Sequence, residues 1–171
     1  MKSADRDVAY LLALSTYGQR PALAGSHAGL FCRVLARLHQ RLDFRLHAYV
    51  VLPDRARLIV ATPDGGVASV ERLAQRLRSR FGRELQWRAR WPGPVFRDAV
   101  AIVPVGPGAM ARRVEFLHRL PVLMGLAADP RDWRWSSVRG WYGSGRPPAP
   151  VDLPPSPAAP PERRAGSPAS G

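Results

Sequence analysis

Apolar residues along the chain fall into short runs and longer helical repeats, and the two patterns alternate. Four short runs bounded by turn residues predict strands, at 8–16, 44–51, 55–61 and 95–103. Pro53 and Asp54 lie between the second and third runs and favour a tight turn, so these two strands are expected to form a hairpin.

Three segments carry apolar residues at helical spacing. Ser26 is expected to cap the first helix, and a second, longer helix is expected to begin at Ser69 and to be broken by Pro92. A third helix is predicted at 107–120, ended by Pro121. The order βαββαβ followed by a helix predicts an α+β fold of the ferredoxin-like type, an antiparallel four-stranded sheet with two helices on one face.

The composition changes after Gly143. Residues 144–171 hold 9 of the 18 prolines and almost no large apolar side chains. Such a segment cannot bury enough apolar surface to offset the entropy of ordering it. The sequence therefore predicts one domain at 1–143 and a disordered, proline-rich tail at 144–171.

Charge is the strongest global feature of the sequence. The 26 Lys and Arg residues against 13 Asp and Glu residues give a net charge of +13. A small domain this basic is typical of proteins that bind a polyanion, most often nucleic acid. A GC-rich genome would also favour arginine over lysine, but it would not explain the shortage of acidic residues.

Several classes of protein are disfavoured by composition. Cys32 is the single cysteine, which excludes an internal disulfide framework and a multi-cysteine zinc site. No apolar run approaches the roughly 18 residues of a membrane span, and no secretory signal is visible at the start of the sequence. A cytoplasmic protein without a membrane partner is therefore expected.

Four segments, taken in order, resemble one protein family. They read FRLHAYVVLPD at 44–54, GPVFRD at 93–98, EFLHRLPV at 115–122, and GL, DP and WRWSS within 125–137. This sequence is similar to the IS200-like single-strand transposases, and most similar to their REP-associated tyrosine transposase branch. The resemblance covers residues 9–143 and implies a ferredoxin-like fold and single-stranded or hairpin DNA as the partner.

The resemblance also implies a chemistry. In this family, two histidines flanking one residue on a strand bind a divalent cation, which polarises a scissile DNA phosphate. A tyrosine on a helix attacks that phosphate, and a polar side chain one helical turn later completes the metal shell. The product is a covalent link between the tyrosine and the DNA.

This sequence departs from the family at each of those positions. The histidine positions hold Arg55 and Arg57, the tyrosine position holds Phe116, and the following-turn position holds Leu120. Arginine has no lone pair for a metal, and phenylalanine has no nucleophilic oxygen. The sequence therefore predicts no catalytic residue, no metal ion and no other cofactor, although it resembles a DNA transposase.

The arginines suggest a binding role in place of cutting. Arg55 and Arg57 are expected to project from one sheet face and hold a phosphate; the alternative, equally open, is that they are solvated strand residues. Basic helix faces add further candidates for nucleic-acid contact, with a tryptophan suited to base stacking: Arg33, Arg37, Arg72, Arg76, Arg80, Arg83 and Trp87. Solvated helix faces are the alternative for these arginines.

The sequence therefore predicts a transposase-like protein that binds single-stranded or hairpin DNA and has lost nick-and-join chemistry. One alternative is an active transposase with a displaced nucleophile, for which Tyr142 is the candidate. Another is the product of a decaying gene without a selected role. The target sequence, the choice between DNA and RNA, and the oligomeric state stay open.

Overall fold

The computed structural model describes residues 8–153. Within this range the chain forms a four-stranded antiparallel sheet in the order β2-β3-β1-β4. The strands are β1 (Ala9–Ser15), β2 (Arg45–Leu52), β3 (Arg55–Ala61) and β4 (Ala101–Val105). This order and the alternation of strands with helices confirm the predicted ferredoxin-like α+β fold.

The same range contains four α-helices, α1 (Ser26–Arg41), α2 (Val67–Ala89), α3 (Met110–Leu123) and the short α4 (Val138–Trp141). Three 3-10 turns lie at Tyr17–Gln19, Pro107–Ala109 and Pro130–Asp132. None of the described helices is both long enough and apolar enough to cross a membrane.

Helices α1 and α2 cover one face of the sheet. Alternate residues of β1 and β3, such as Leu12 and Leu58, are fully buried against them, as the two-residue period of a strand requires. The rings of Phe31 on α1 and Phe81 on α2 meet edge to face with centroids 5.3 Å apart. Each such buried side chain contributes about 1.5–3 kcal/mol, so this layer is the main core of the domain.

Helix α3 packs on the opposite face of the sheet, mainly over β2. Val114 and Leu117 of α3 are buried against residues of β2 and β3 that include Val50 and Ile59. Because one helix cannot cover four strands, much of this face over β1, β4 and the start of β3 carries side chains that are only partly buried or exposed, while Ala9 and Val105 at the other end of these strands are buried.

Four predicted helix boundaries are wrong. Helix α2 begins at Val67 rather than at Ser69, and α3 begins at Met110, after the 3-10 turn at Pro107–Ala109. The N-cap of α1 is Gly25, not Ser26, and its φ of 55° is a conformation that favours glycine. Helix α3 runs through Pro121 to Leu123. A proline in the last turn removes only its own backbone donor, and the amides that follow still bond to carbonyls of this turn, as Met124 N does to Leu120 O.

The fourth strand is shorter than the predicted 95–103. Phe96 pairs with Thr16 in an isolated bridge, and the continuous ladder begins only at Ala101, opposite Ala13. Four residues lie between Phe96 and Ala101, whereas two lie between Ala13 and Thr16. The two extra residues cannot be accommodated in a regular ladder, so the chain leaves the sheet between these two pairings.

The outer edge of β2 is covered by the segment that follows the 3-10 turn at Pro130–Asp132. Val51 N donates to Trp135 O at 2.8 Å, and Ser137 N donates to Tyr49 O at 3.0 Å. The indole of Trp133 adds a hydrogen bond to Val51 O at 2.9 Å. Residues 133–137 therefore satisfy backbone groups that an edge strand would otherwise expose.

Residues 144–153, here named the C-terminal strap, pack on the domain. Ala149 is fully buried, its N–H donates to the Tyr49 hydroxyl at 2.7 Å, and that hydroxyl donates to Ala149 O at 3.2 Å. Asp152 N donates to Leu46 O at 2.7 Å. The prediction that disorder begins at 144 is therefore wrong for 144–153, because buried partners compensate the ordering entropy; the rest of the predicted tail lies outside the described residues.

Removal of the Tyr49 hydroxyl should loosen the C-terminal strap. In Tyr49→Phe the buried N–H and C=O of Ala149 lose their partner, and we expect the free energy of unfolding to fall by roughly 1–3 kcal/mol. Urea denaturation followed by circular dichroism measures the change. Tyr142→Phe is the matched control, since Tyr142 is 62% exposed, and equal stabilities of the two variants would contradict this anchoring role.

Candidate nucleic-acid interface

Arg55 and Arg57 project from the sheet face that carries α3. Ala56 and Leu58, which alternate with them on β3, belong to the core under α1 and α2. The two-residue period of the strand therefore places both arginines on the opposite face. The structure confirms the expectation that their side chains share one face of the sheet.

Arg57 is a half-buried cation anchored by backbone oxygens. Its Nη1 donates to Leu14 O and to Ala56 O, both at 3.2 Å. Burial and then the positive charge of Arg55 lower the pKa of this guanidinium. Within residues 8–153 no carboxylate forms an ion pair with it, so its charge is not compensated by direct contact.

Arg55 is paired with a carboxylate, and sequence reasoning missed this difference from Arg57. The guanidinium of Arg55 donates to both carboxylate oxygens of Asp54, at 2.9 and 3.0 Å. These hydrogen bonds lower the pKa of Asp54 and raise that of Arg55. The position of Asp54 in the tight turn, directly before Arg55, is the signal from which the pairing could have been found.

Arg57 also lies at the boundary between the part of the sheet face that α3 covers and the part that is exposed to solvent. Along one row of the ladder it stands between Val50 and Ala13, and Ala13 is in turn opposite Ala101. Val50 is fully buried under α3, whereas Ala13 is partly exposed and Ala101 is exposed. The small side chains beyond Arg57 leave its guanidinium at the border of a strip of this sheet face that α3 does not cover.

Helix α3 lies beside this strip, over β2. His118 of α3 contacts Ser137, beyond the outer edge of β2. Residues 116 and 120, two positions before and after His118, lie on the opposite side of the helix from it. Phe116 is 54% exposed, and Leu120 packs partly against the sheet. These groups, with Arg55, Arg57 and Ala13, are named the sheet groove.

The sheet groove does not fit the divalent cation that the resemblance implies. A guanidinium has no lone pair to offer a metal, and neither Phe116 nor Leu120 has an oxygen or nitrogen in its side chain. Among the residues that the structure describes, no three His, Cys, Asp or Glu side chains come together as a metal site. The side chains of the sheet groove therefore offer no set of ligands for a divalent cation.

Tyr142, the candidate for a displaced nucleophile, directly follows the last residue of α4. Tyr142 is 62% exposed, and its ring centroid lies 6.4 Å from that of His118. The His118 side chain contacts the Ser137 hydroxyl through Nε2, at 2.7 Å, and makes no described hydrogen bond to Tyr142. The structure therefore places no hydrogen-bonded base on the Tyr142 hydroxyl among residues 8–153.

The helical candidates form a separate surface. Arg72, Arg76, Arg80 and Arg83 of α2 line a shallow groove of about 470 Å³ next to Leu38 and Arg41 of α1. All of these arginines are exposed. This helix surface is open to solvent along its length, as the candidate role in backbone contact requires.

Trp87 lies at the end of the same stripe and is 78% exposed. The guanidinium of Arg88 lies 5.8 Å from the centre of its ring. Arg37 is 3.7 Å from Glu84, and Glu84 also pairs with Arg88 at 2.8 Å. Part of the charge here is thus compensated, while the Trp87 ring is accessible for stacking.

The two sets of candidates lie on opposite sides of the sheet. Arg55 and Arg57 belong to the sheet groove, whereas Arg33, Arg37 and the α2 arginines stand on the outer surface of the helical layer. The structure does not bring them together in one site. The expectation of nucleic-acid contact therefore concerns two surfaces.

Comparisons with known proteins agree on the fold. No protein-family model matches the chain, and no curated protein matches it significantly in sequence. A solved REP-associated tyrosine transposase bound to a REP hairpin is similar in structure, with a TM-score of 0.65 and 15% identity over 89% of this chain and 92% of that chain. A protein from Deinococcus radiodurans R1, provisionally classed as a transposase, has a TM-score of 0.51 and 16% identity over 70% of this chain and 95% of that chain.

These likenesses confirm that the chain has the fold of the solved REP-associated tyrosine transposase. At such low identities the shared fold does not carry over an activity. Function must therefore be argued from the groups that this chain places in its own sites.

The attachment of α3 should make stability depend on pH. Burial lowers the pKa of His118 from 6.5 to about 4. Between these values the unfolded state binds a proton that the folded state does not, so stability present above pH 6.5 is lost as the pH falls. We expect a loss of about 2–3 kcal/mol between pH 7.5 and 4.5 from this group, measured by urea denaturation.

His118→Gln is the control for this pH dependence, because glutamine retains an amide donor and does not titrate. Carboxylates contribute equally to both proteins, so the difference between their pH profiles isolates His118. Parallel profiles for His118→Gln and the parent protein would contradict the assignment.

Proposed function

We propose that the chain is a transposase-like DNA-binding protein that holds single-stranded or hairpin DNA and does not nick or join it. The observation that carries this proposal is Arg57, a half-buried guanidinium at the border of the sheet groove, with no carboxylate paired to it among residues 8–153. A phosphate supplies the negative charge and the planar acceptor pair that such a guanidinium lacks.

The apolar side chains of the sheet groove favour unpaired nucleotides. Phe116 presents an exposed aromatic ring on α3, the helix that packs on the same face of the sheet as the arginines, and Leu120 adds apolar surface there. An exposed aromatic ring stacks on a base whose face is accessible, and base–aromatic stacking contributes about 1–3 kcal/mol. Bases inside a duplex are stacked on each other, so the groove suits single strands and the unpaired ends or loops of hairpins.

The helix surface supplies further contacts in this proposal. Its exposed arginines attract the phosphate backbone without reading sequence, and Trp87 offers a second stacking ring. The likeness to a transposase bound to a REP hairpin supports a hairpin as the structured ligand. RNA hairpins provide the same phosphates, so they belong in the test.

The proposal excludes strand transfer because both chemical requirements are missing from the sheet groove. Arg55 and Arg57 repel a divalent cation, and Phe116 has no atom that could attack phosphorus. A phosphate bound there is held by hydrogen bonds and charge alone. We therefore propose a protein without a resident metal ion or other cofactor.

Arg57→Ala should weaken binding to a fluorescein-labelled DNA hairpin more than Arg55→Ala does. The charge of Arg55 is already compensated by Asp54, whereas that of Arg57 is not. We expect roughly a tenfold loss of affinity for Arg57→Ala, as removal of one charge-assisted hydrogen-bonding group costs about 1.5 kcal/mol or more. Fluorescence anisotropy against hairpin DNA, duplex DNA, unstructured strands and hairpin RNA measures this effect.

Salt titration and Arg57→Lys complete this experiment. Lysine keeps the charge but loses the bidentate fork, so an intermediate affinity is expected. Equal losses for Arg55→Ala and Arg57→Ala, or equal affinity of the parent protein for every polyanion, would contradict the proposed role of the sheet groove.

No covalent protein–DNA adduct should form on a hairpin with a single-stranded extension in the presence of Mg²⁺ or Mn²⁺. Denaturing gel electrophoresis of labelled DNA detects such an adduct with high sensitivity. If a metal-dependent adduct appears and disappears in Tyr142→Phe, the chain is an active transposase with a displaced nucleophile. Tyr17→Phe is the matched control, because Tyr17 is also exposed.

A further inference from the structure

A third basic concavity lies at the C-terminal end of the described chain. It has a volume of about 390 Å³ and is lined by Arg134, Arg139, Arg146 and Pro148. The three arginines come from the segment covering β2, from α4 and from the C-terminal strap. In the described part of the chain none of them forms an ion pair with a carboxylate, and no acidic residue lines the concavity.

The C-terminal strap is packed tightly where it delivers Arg146 to this concavity. A Cβ atom added at Gly140 would lie 3.2 Å from Pro147 Cγ and 3.2 Å from Val151 Cγ2. The strap therefore lies directly on the backbone of α4, and a larger side chain at 140 would displace it. The reciprocal hydrogen bonds between Tyr49 and Ala149 fix the strap three residues beyond Arg146.

On the side of the concavity away from the strap, the Arg134 side chain lies over the ring of Trp135. Its guanidinium lies 4.8 Å from the centre of the Trp135 ring. That ring contacts α1, since a Cβ atom at Gly29 would lie 3.1 Å from it and 3.6 Å from Nη1 of Arg33. Arg33, a candidate for nucleic-acid contact, thus borders the same region.

Three guanidinium groups around one concavity repel one another unless an anion lies between them. We propose that this concavity is a second phosphate-binding site, completed by the C-terminal strap, which takes a backbone phosphate of the bound nucleic acid. That this phosphate belongs to a nucleic acid, rather than to another phosphate-containing ligand, rests on the proposed function. The planar forks of arginine suit a phosphate with several free oxygens.

Arg139→Ala and Arg146→Ala test the site directly. We expect each to weaken binding of hairpin, single-stranded and duplex DNA alike, by roughly five- to tenfold, because a phosphate contact reads no sequence. The slope of log K against log salt should fall by about 0.7–0.9 for each phosphate that the variant no longer neutralises. Arg131→Ala is the matched control, because Arg131 is exposed and already paired with Asp129 at 3.0 Å.

Gly140→Leu tests the part played by the strap. This substitution removes no charge but displaces Pro147 and Val151, so we expect it to weaken DNA binding as Arg146→Ala does. Circular dichroism shows whether the domain is intact in each variant. The site would be overturned if the affinity and the salt slope of Arg139→Ala and Arg146→Ala equal those of Arg131→Ala. If only Gly140→Leu leaves the affinity unchanged, the site stands, but its completion by the strap is overturned.

Inorganic phosphate separates failure of this site from failure of the proposed function. We expect phosphate to raise the melting temperature of the parent protein above that in chloride of equal ionic strength, and to raise it less in Arg139→Ala, in which Arg57 is still present to hold a phosphate. If the parent protein binds no DNA, the proposed function fails. In that case, a smaller stabilisation by phosphate in Arg139→Ala would show that the concavity binds anions, but that nucleic acid is not its ligand. If DNA binding depends on Arg57 but not on Arg139 or Arg146, the proposed function stands and this site is overturned.

Discussion

The hydroxyl of Ser137 joins three parts of the structure, and the shape of the domain depends on it. Tyr49 N–H donates to this hydroxyl at 2.9 Å, the hydroxyl donates to Tyr49 O at 3.2 Å, and His118 Nε2 lies 2.7 Å from it. One buried oxygen thus links β2, α3 and the segment that covers the sheet edge. With its proton given to Tyr49 O, the hydroxyl accepts from a neutral His118 protonated at Nε2, in agreement with the lowered pKa of that ring.

This linkage determines which part of the sheet stays open. By holding α3 over β2, it leaves the row from Arg57 through Ala13 to Ala101 without a covering helix. The open strip lies between α3 and the edge strand β4, and the guanidinium of Arg57 stands at its border. Its openness follows from the number of helices available to each face of the sheet.

The sequence predicts regular elements well because strands and helices are governed by local apolar periodicity, as the agreement at β3 shows. It does not predict features that depend on distant partners. The C-terminal strap resembles a disordered tail in composition, and it is ordered because of partners far away in the chain, among them Tyr49 and Leu46. Similarly, Arg55 and Arg57 look equivalent in sequence, whereas the turn at Asp54 and the half-buried position of Arg57 make them different.

Net charge alone therefore overstates the surface available to a polyanion. Arg55 and Arg88 are compensated by Asp54 and Glu84, while Arg57 and the arginines beside the C-terminal strap have no such partner among residues 8–153. The strap lies at the β2 edge, where the side of the sheet bearing α3 meets the side bearing α1. The sheet groove lies on the other side of α3 from this edge, so the arginines without a carboxylate partner are divided between two separate surfaces of the described chain.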